Sequence, residues 1–469
     1  MKLVRLIAGA FVVVVVAAGG VTAATRGTPE PARRYVTDDL GRALTLHGFN
    51  TASSAKSTPD ALPKLAEEDV EREYRDMGTN FVRFLIQWRA VEPSPGTYDT
   101  KYLDKVAERI AWYRDRGYHV MLDMHQDLWG SGITPAGTAG NGAPLWATFT
   151  DDLPVATEQA TWELFYLEPG TIRAFDHFWN TTGDHPELMD RYAKAWRAVA
   201  ERFKDDPTVI GYDLMNEPWG GSVQGAAFET GPLATLYRKS ISEIRSVDSE
   251  SWIFLEPQAV GVNWGLPSAL PYFDDPRTGP DRIAFAPHLY PLPLDLGDDY
   301  TAGSKAWIDR TLGWWRDSIL RTADRMRAPV LLGEFGLDMT RPGAADLVGK
   351  VQAIADEMGA GLAYWSRDES PWGPYDKGQP TPLVAAYDRP YPRAVGGVPR
   401  RVTFDAKTTT LRVDFDANET GDTEIYLPAA SFPRGGKASI GQATWDAKRR
   451  ILTVKTKTYG LIELSVTPA

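Results

Sequence analysis

The sequence predicts an α/β protein in which a (β/α)8 TIM barrel precedes a C-terminal antiparallel β-sandwich. Three observations support this prediction. Short apolar runs alternate with helical patterns eight times, nearly every run ends in a polar or aromatic residue, and the pattern becomes strictly alternating after about residue 396. Strands that are apolar throughout are typical of parallel sheets covered by helices on their faces. A doubly wound open sheet is the alternative.

Size, composition and charge narrow the class of protein. The 469 residues suit one large domain with a smaller one, and contents of 43% hydrophobic and 24% charged residues are ordinary for a globular protein. The formal net charge of −11 argues against nucleic acid as a partner, because nucleic-acid binders usually present a basic face. Cysteine is absent, which excludes disulfide bonds.

The N-terminal stretch has the form of a secretory signal peptide over residues 1–24. Basic Lys2 and Arg5 precede an apolar run from Leu6 to Ala18, and small residues follow. We therefore expect a secreted, extracellular bacterial protein. A membrane anchor is the alternative, although the run is short for a bilayer span of about 20 residues.

The barrel prediction for residues 36–395 depends on the strands and on the helices between them. The predicted strands are 44–50, 80–88, 119–125, 209–217, 252–257, 283–290, 329–336 and 361–366. Helical spacing is clear in "TKYLDKVAERIAWYRDRG", where Tyr102, Leu103, Val106, Ile110 and Tyr113 recur at helical spacing before Gly117. The stretch "PELMDRYAKAWRAVAERFKD" shows the same spacing.

Polar and aromatic residues gather where the predicted strands end. In a TIM barrel, this carboxyl-terminal edge is where the loops converge and the active site forms. The residues concerned are Asn50, Arg83, Trp88, His125, Asp127, Asn216, Glu217, Glu256, His288, Tyr290, Glu334 and Trp365.

Two segments depart from a plain barrel. The segment from Leu128 to His185 is far longer than an ordinary loop and rich in Trp, Phe and Tyr, so it would be either an apolar groove for substrate or a small core of its own. Residues 398–469 alternate apolar and polar residues between turns, as in "TLRVDFDA", and predict the β-sandwich. The sandwich would either pack against the barrel or bind membrane or sugar.

Two carboxylates carry the predicted chemistry. Glu217 in "LMNEPWGG" and Glu334 in "LLGEFG" follow the fourth and seventh predicted strands, so both would face the mouth of a closed barrel. Either one alone could be a structural carboxylate at the rim. Together they suit cleavage of a glycosidic bond, which needs two carboxyl groups, and Asn216 could hydrogen-bond a sugar hydroxyl beside them.

These motifs resemble those of glycoside hydrolase family 5, and the chain is most similar to the bacterial endoglycoceramidases within it. The resemblance covers about residues 44–366 and includes the sandwich. Lys56 in "HGFNTASSAKS", Asp127 in "MHQDLWG" and the aromatic insertion carry the narrower likeness. The wider family motifs are Arg83 in "FVRFLIQW", His125 in "DMHQD", Asn216 and Glu217 in "MNEP", His288 and Tyr290 in "PHLY", Glu334 in "LLGEFG" and Trp365 in "AYWS".

The resemblance implies a role for each matched residue. Glu217 would be the general acid/base and Glu334 the nucleophile of a retaining mechanism. Arg83 and His288 would support the nucleophile, with Arg83 and Tyr290 keeping Glu334 ionised and Glu217 remaining protonated. The substrate-binding residues would be Lys56, His125, Asp127, Asn216, Tyr290 and Trp365.

Other readings stay open for some of these residues. His125 and Asp127 could ligate a metal, although no third histidine lies at a recognisable spacing, and Trp365 could simply pack in the barrel. We expect no metal and no cofactor.

Three functions remain on the sequence alone. The first is a secreted glycosidase that cleaves the β-linkage between the glycan and ceramide of glycosphingolipids, acting as a monomer at a membrane or micelle surface. The second is a related hydrolase of glucosylceramide, steryl glucosides or a β-glucan or mannan. The third is a non-catalytic carbohydrate- or lipid-binding protein, which would be free to lose the two glutamates.

Overall fold

The computed structural model describes residues 34–133, 140–159, 162–457 and 459–469. The predicted signal peptide over residues 1–24 lies outside these ranges. Within the described part of the chain, no helix has the length and apolar character needed to cross a bilayer.

Eight parallel strands form a closed barrel, so the prediction of the fold class is confirmed. Neighbouring strands pair in the order β6-β5-β4-β3-β2-β1-β8-β7. Parallel bridges from Phe285 to Val330 and from His288 to Glu334 close the ring between β6 and β7. The strands are β1 (His47–Asn50), β2 (Phe81–Ile86), β3 (His119–Met124), β4 (Val209–Asp213), β5 (Trp252–Leu255), β6 (Ile283–Phe285), β7 (Leu331–Phe335) and β8 (Gly361–Tyr364).

Amphipathic helices surround the barrel. In the helix Thr100–Arg114, the Asp99 carboxylate accepts hydrogen bonds from the first turn, and Gly117 follows the helix with a φ of 69°. The buried residues of this helix are those that the spacing predicts. The longer helices are α1 (Glu67–Met77), α2 (Thr100–Arg114), α3 (Pro169–Phe178), α4 (Leu188–Phe203), α5 (Ala234–Arg245), α6 (Lys305–Met326), α7 (Ala344–Met358) and α8 (Pro382–Tyr387).

The C-terminal domain consists of two antiparallel sheets around an apolar core. Its strands are β9 (Tyr391–Val395), β10 (Gly397–Asp405), β11 (Thr410–Ala417), β12 (Thr423–Tyr426), β13 (Gly436–Ala438), β14 (Gln442–Asp446), β15 (Ile451–Lys455) and β16 (Gly460–Pro468). One sheet starts at Tyr391, ahead of the predicted residue 398, and also takes the short strand Ala43–Leu44 from the N-terminal side. The N-terminal side of the described chain thus joins one of the two sheets of the C-terminal domain.

The sandwich packs on the amino-terminal end of the barrel, opposite the mouth. Tyr391 donates a hydrogen bond to the carbonyl of Gly78, which precedes β2, and Arg393 donates one to the carbonyl of Gly117, which precedes β3. The Tyr426 ring also lies against Gly78. Of the two alternatives for the sandwich, the structure therefore shows packing against the barrel.

The aromatic rings of the insertion are buried in the same core as the helices around the barrel. Trp129, Phe175 and Phe178 are buried, and Trp129 packs against Phe178 with ring centroids 4.4 Å apart. Trp88, which follows β2, packs edge-on against Trp129. The structure thus favours the packing alternative for these rings over an open groove.

Candidate active site

The predicted site residues converge at the carboxyl end of the barrel. Asn216 and Glu217 lie just beyond β4, His288 and Tyr290 beyond β6, and Glu334 within β7. Because parallel strands all end at this edge, residues that are far apart in the chain come within contact distance.

The Glu217 carboxyl group is held through one of its oxygens. The Asn263 side-chain amide donates to Glu217 Oε1 at 2.8 Å, and His288 Nδ1 lies 3.1 Å from the same oxygen. The backbone of Glu217 adopts a φ of 43°, in the left-handed region that residues other than glycine rarely occupy. The conformation of the loop after β4 therefore directs the Glu217 side chain toward Asn263 and His288.

The Glu334 carboxyl group is held through both oxygens. The Tyr290 hydroxyl donates to Oε1 at 2.6 Å, and Arg83 Nη1 lies 3.4 Å from Oε2. His288 lies 4.0 Å from Glu334 but 3.1 Å from Glu217. His288, predicted to support the nucleophile, is thus primarily a neighbour of Glu217, while Tyr290, predicted to bind substrate, contacts Glu334.

The two carboxyl groups face each other across a short gap. One oxygen of Glu217 and one of Glu334 lie within 4.8 Å of each other, with a nitrogen of His288 equally close. Retaining glycosidases place their carboxyl groups about 5 to 5.5 Å apart, whereas inverting enzymes leave about 6.5 to 9.5 Å for a water molecule. The spacing suits direct attack by a carboxylate.

Burial and neighbouring charge act differently on the two groups. Burial raises the pKa of Glu334 above its ordinary value against the opposing charge of His288, and Glu217 raises it further. Burial would also raise the pKa of Glu217, but the hydrogen bond and charge from His288 outweigh it and hold the pKa below its ordinary value. The pKa of Glu334 is thus shifted up and that of Glu217 down, opposite to the directions that their expected roles predict.

Arg83 lies at the centre of a buried carboxylate cluster. Its guanidinium is fully buried and contacts Asp123, Asp213 and Glu256 at 2.7 to 3.0 Å, in addition to Glu334. These three carboxylates could by themselves hold a metal ion, but here they surround the guanidinium. Arg83 thus supplies the positive charge that buried carboxylates require.

Four of the predicted sugar-binding residues form a second cluster. Lys56 Nζ lies 2.9 Å from Asp127 Oδ2 and 4.3 Å from the centre of a Trp365 ring. The His125 ring stacks parallel to Trp365 at 5.5 Å, and its Nδ1 lies 2.7 Å from an oxygen of Asp123. Because Lys56 neutralises Asp127 and Asp123 orients His125, these contacts account for both residues without a metal.

Asn216 is oriented by contacts on both sides of its amide. Its Oδ1 accepts from Arg83 at 2.9 Å, and its Nδ2 donates to the carbonyl of Gln126 at 3.0 Å. An amide nitrogen carries two hydrogens, and among the described contacts this one uses a single hydrogen. The other is suited to a hydroxyl of the reacting sugar.

Known families match nearly the whole described chain. A family model described as cellulase (glycosyl hydrolase family 5) matches residues 38–370, and one described as the glycoside hydrolase family 5 C-terminal domain matches residues 389–466. The chain belongs to glycoside hydrolase family 5. This confirms the resemblance drawn from the motifs, and the protein is a glycoside hydrolase.

Individual relatives in family 5 are similar along most of their length. Endoglycoceramidase I of Rhodococcus hoagii is 28% identical over 92% of this chain and 86% of its own. The solved structure of endo-glycoceramidase II from Rhodococcus sp. with ganglioside GM3 is 52% identical, with a TM-score of 0.91 over 93% of this chain and 100% of that one. A lactosyl-enzyme intermediate of the same Rhodococcus sp. protein matches with a TM-score of 0.89, 52% identity and the same coverage.

Several residues of this family 5 site were not assigned a role from the sequence. Asp123 in "HVMLDMH" and Asp213 in "VIGYDL" are acids within apolar runs, and that isolation is the signal that could have singled them out. Glu256 was noted only as a residue at a strand end. Asn263 lies in a loop, where no periodicity points to it.

Proposed function

We propose that this family 5 hydrolase cleaves the β-glycosidic linkage between the glycan and ceramide of glycosphingolipids, releasing intact oligosaccharide and ceramide with retention of configuration. The observation that carries the proposal is 52% identity over 93% of the chain to an endo-glycoceramidase crystallised with ganglioside GM3. The short distance between the Glu217 and Glu334 oxygens supports retention. The lactosyl-enzyme intermediate of that relative supports it independently.

In the first step, the Glu334 carboxylate attacks the anomeric carbon of the reacting sugar while Glu217 protonates the departing oxygen of ceramide. Tyr290 and Arg83 orient Glu334 for this attack. Burial would lower the pKa of His288, but neighbouring Glu256 and Glu334 outweigh it and raise the pKa well above its ordinary value, so His288 keeps its proton and donates a hydrogen bond to Glu217.

In the second step, Glu217 acts as a base toward water, and water releases the glycan from Glu334. Lys56, His125, Asp127 and Asn216 would bind hydroxyl groups of the glycan. Trp365 would stack on a sugar face.

Mass spectrometry of released products tests this proposal. The purified protein is given a pool of GM3, lactosylceramide, glucosylceramide, steryl glucoside and cello-oligosaccharides, with Glu217→Gln and Glu334→Gln as controls. We expect intact oligosaccharide with free ceramide, lost in both variants. Release of glucose alone, or products only from substrates without ceramide, would contradict the ceramide assignment and leave the glycosidase intact.

Retention is tested separately by the anomer that forms first. Proton NMR during hydrolysis should show the β-anomer of the released glycan before mutarotation. Initial α-anomer would contradict the proposed nucleophile.

We also propose that the protein is exported and acts as a monomer at a membrane or micelle surface. The basic residues and apolar run within residues 1–24 support export. Activity recovered in the medium of the producing cell, with a mature chain beginning near Ala24, is the expected result. Size-exclusion chromatography should give a mass near that of one chain.

A further inference from the structure

Glu256 follows β5 and is buried against both halves of the catalytic pair. Its side chain is 2% exposed. The motifs of the resemblance assign it no role, and a buried carboxylate without a function would be costly to keep. Its contacts therefore call for an explanation.

Both oxygens of Glu256 accept hydrogen bonds from groups that touch the reacting carboxyls. Oε2 accepts from the backbone N–H of Glu217 at 2.8 Å. Oε1 accepts from Arg83 Nη2 at 2.7 Å and lies 3.2 Å from His288 Nε2. One side chain thus contacts the Glu217 backbone, its histidine neighbour and the arginine that reaches Glu334.

The hydrogen bond from the Glu217 N–H to Glu256 helps to fix the backbone conformation of Glu217, and with it the position of the Glu217 Cβ. A φ of 43° is unfavourable for a residue with a Cβ and persists only where the surroundings hold it. Glu256 holds the N–H of Glu217, and the Gln126 side chain donates to its carbonyl at 3.1 Å. The peptide groups on both sides of Glu217 are therefore tied to buried side chains.

The contact between Glu256 and His288 affects the orientation of the imidazole ring that hydrogen-bonds the Glu217 carboxyl group. With Nε2 facing Glu256, the other nitrogen of His288 faces Glu217 Oε1, so the ring lies between the two carboxyl groups. The third charged group facing the ring is Glu334, at 4.0 Å. Gly333 leaves room for this arrangement, because a Cβ there would lie 3.1 Å from His288 Nε2.

We propose that Glu256 is a positioning residue for the acid/base, acting on Glu217 through its backbone N–H and through His288. The inference deepens the proposed function and rests on its assignment of Glu217 as acid/base. It does not depend on ceramide as the leaving group.

A pair of aryl β-lactosides tests the inference. Phenyl β-lactoside releases a poor leaving group that needs protonation, whereas 2,4-dinitrophenyl β-lactoside releases an acidic phenol that departs as an anion. General acid catalysis contributes about 10²- to 10⁴-fold where it is needed. In Glu256→Gln, we expect kcat/KM for the phenyl substrate to fall about 100-fold or more and that for the dinitrophenyl substrate to fall less than about 10-fold.

Asp213→Asn is the matched control. Asp213 is equally buried and contacts Arg83 Nε at 2.8 Å, but none of its described contacts reaches Glu217 or His288. Because Asp213→Asn affects the site only through Arg83, it should lower kcat/KM by the same factor for both substrates. The same uniform loss in Glu256→Gln, or no loss at all, would overturn the inference.

Azide provides a second readout that does not depend on comparing rates between proteins. When the base is misplaced, azide can attack the glycosyl-enzyme in place of activated water, so Glu256→Gln with the dinitrophenyl substrate should form β-lactosyl azide. Asp213→Asn should form none, and absence of the azide product in Glu256→Gln would contradict the inference.

If Glu256→Gln does not fold, Glu256→Asp, whose side chain is one methylene shorter, takes its place, and the same results are expected of it. Cleavage of both aryl substrates by the wild type without release of any ceramide would overturn the ceramide assignment alone.

Discussion

At the scale of single residues, Lys56 pairs with the buried carboxylate of Asp127. Its ammonium lies 2.9 Å from the Asp127 carboxylate, which is almost fully buried. Burial would raise the pKa of Asp127, but Lys56 and His125 outweigh it and keep the pKa low. Lys56→Met should therefore remove the cation nearest to the buried Asp127 carboxylate and lower kcat/KM about 10- to 100-fold on any glycoside that occupies the site. Lys64→Met, at an exposed lysine nearby in the chain, should change it less than twofold, and equal effects would contradict the role of Lys56.

A buried histidine makes stability depend on pH. Burial and the charge of Arg389 lower the pKa of His47 from 6.5 to about 3. The unfolded chain therefore binds a proton below about pH 6.5 that the folded protein does not bind until about pH 3, so stability is lost as the pH falls through this window. Between pH 7 and 4.5, the free energy of unfolding should fall about 2 to 3 kcal/mol more in the wild type than in His47→Gln. Denaturant titrations at both pH values measure this, and parallel changes in the two proteins would refute it.

The residues that sequence reasoning could find are those whose identity is unusual for their place. Glu217 and Glu334 stand out because a charged residue follows an apolar strand, and the closed barrel brings them together as expected. The carboxylates around Arg83 were not assigned because their role is a shared charge balance, which exists only once β2, β3, β4 and β5 lie side by side. The direction of the Glu217 pKa shift likewise depends on His288, whose distance to each glutamate is set by the fold.

At the scale of elements, helix α3 of the insertion is attached to the loop that carries Glu217. Asp176 Oδ1 accepts from the backbone N–H and hydroxyl of Ser222 at 2.8 and 2.9 Å, and the Trp179 indole donates to the carbonyl of Trp219. The insertion thus holds the catalytic loop in addition to packing its aromatic rings into the core of the barrel.

Removing this attachment should impair the reaction more than the fold. In Asp176→Ala, both hydrogen bonds to Ser222 are lost, and we expect kcat to fall about 5- to 30-fold, the equivalent of roughly 1 to 2 kcal/mol. Ser222→Ala loses only the hydroxyl bond and should have a smaller effect. Steady-state kinetics with a soluble aryl glycoside distinguishes the two, and an Asp176→Ala enzyme with unchanged kcat would contradict this account.

Element boundaries show where sequence patterns reach their limit. The apolar run 209–217 predicts one long strand, whereas β4 ends at Asp213 because the chain must turn to present Asn216 and Glu217. The aromatic content of the insertion was visible in the sequence, but whether the rings line a groove or fill a core depends on their packing against Trp88, which is distant in the chain, and against helix α4.

At the scale of the whole molecule, the barrel and the sandwich share one interface. Gly78 ends helix α1 with a φ of 60°, and a Cβ there would lie 2.0 Å from the Tyr426 ring. Gly78→Ala combines backbone strain of about 1 kcal/mol with overpacking of about 1 to 3 kcal/mol, so we expect a loss of about 2 to 4 kcal/mol in the free energy of unfolding.

An exposed glycine supplies the control for this interface. Gly96 has a φ of 74°, and the nearest atom to its Cβ position, on the Arg191 side chain, lies 3.7 Å away. Gly96→Ala should therefore cost only the backbone strain of about 1 kcal/mol. Chemical denaturation of both variants measures the difference, and equal losses would show that Tyr426 yields freely and that the interface is loosely packed.

The placement of the sandwich determines how the protein could be held on a solid support. Tyr35 donates a hydrogen bond to the carbonyl of Pro399, and Ala469 donates one to the carbonyl of Gly435, so both ends of the described chain lie at the sandwich. A bead or sensor surface coupled near residue 34 or residue 469 would therefore hold the molecule at the end opposite the mouth of the barrel. The catalytic opening would then point outward into the solution, toward micelles or vesicles too large to enter a crowded matrix.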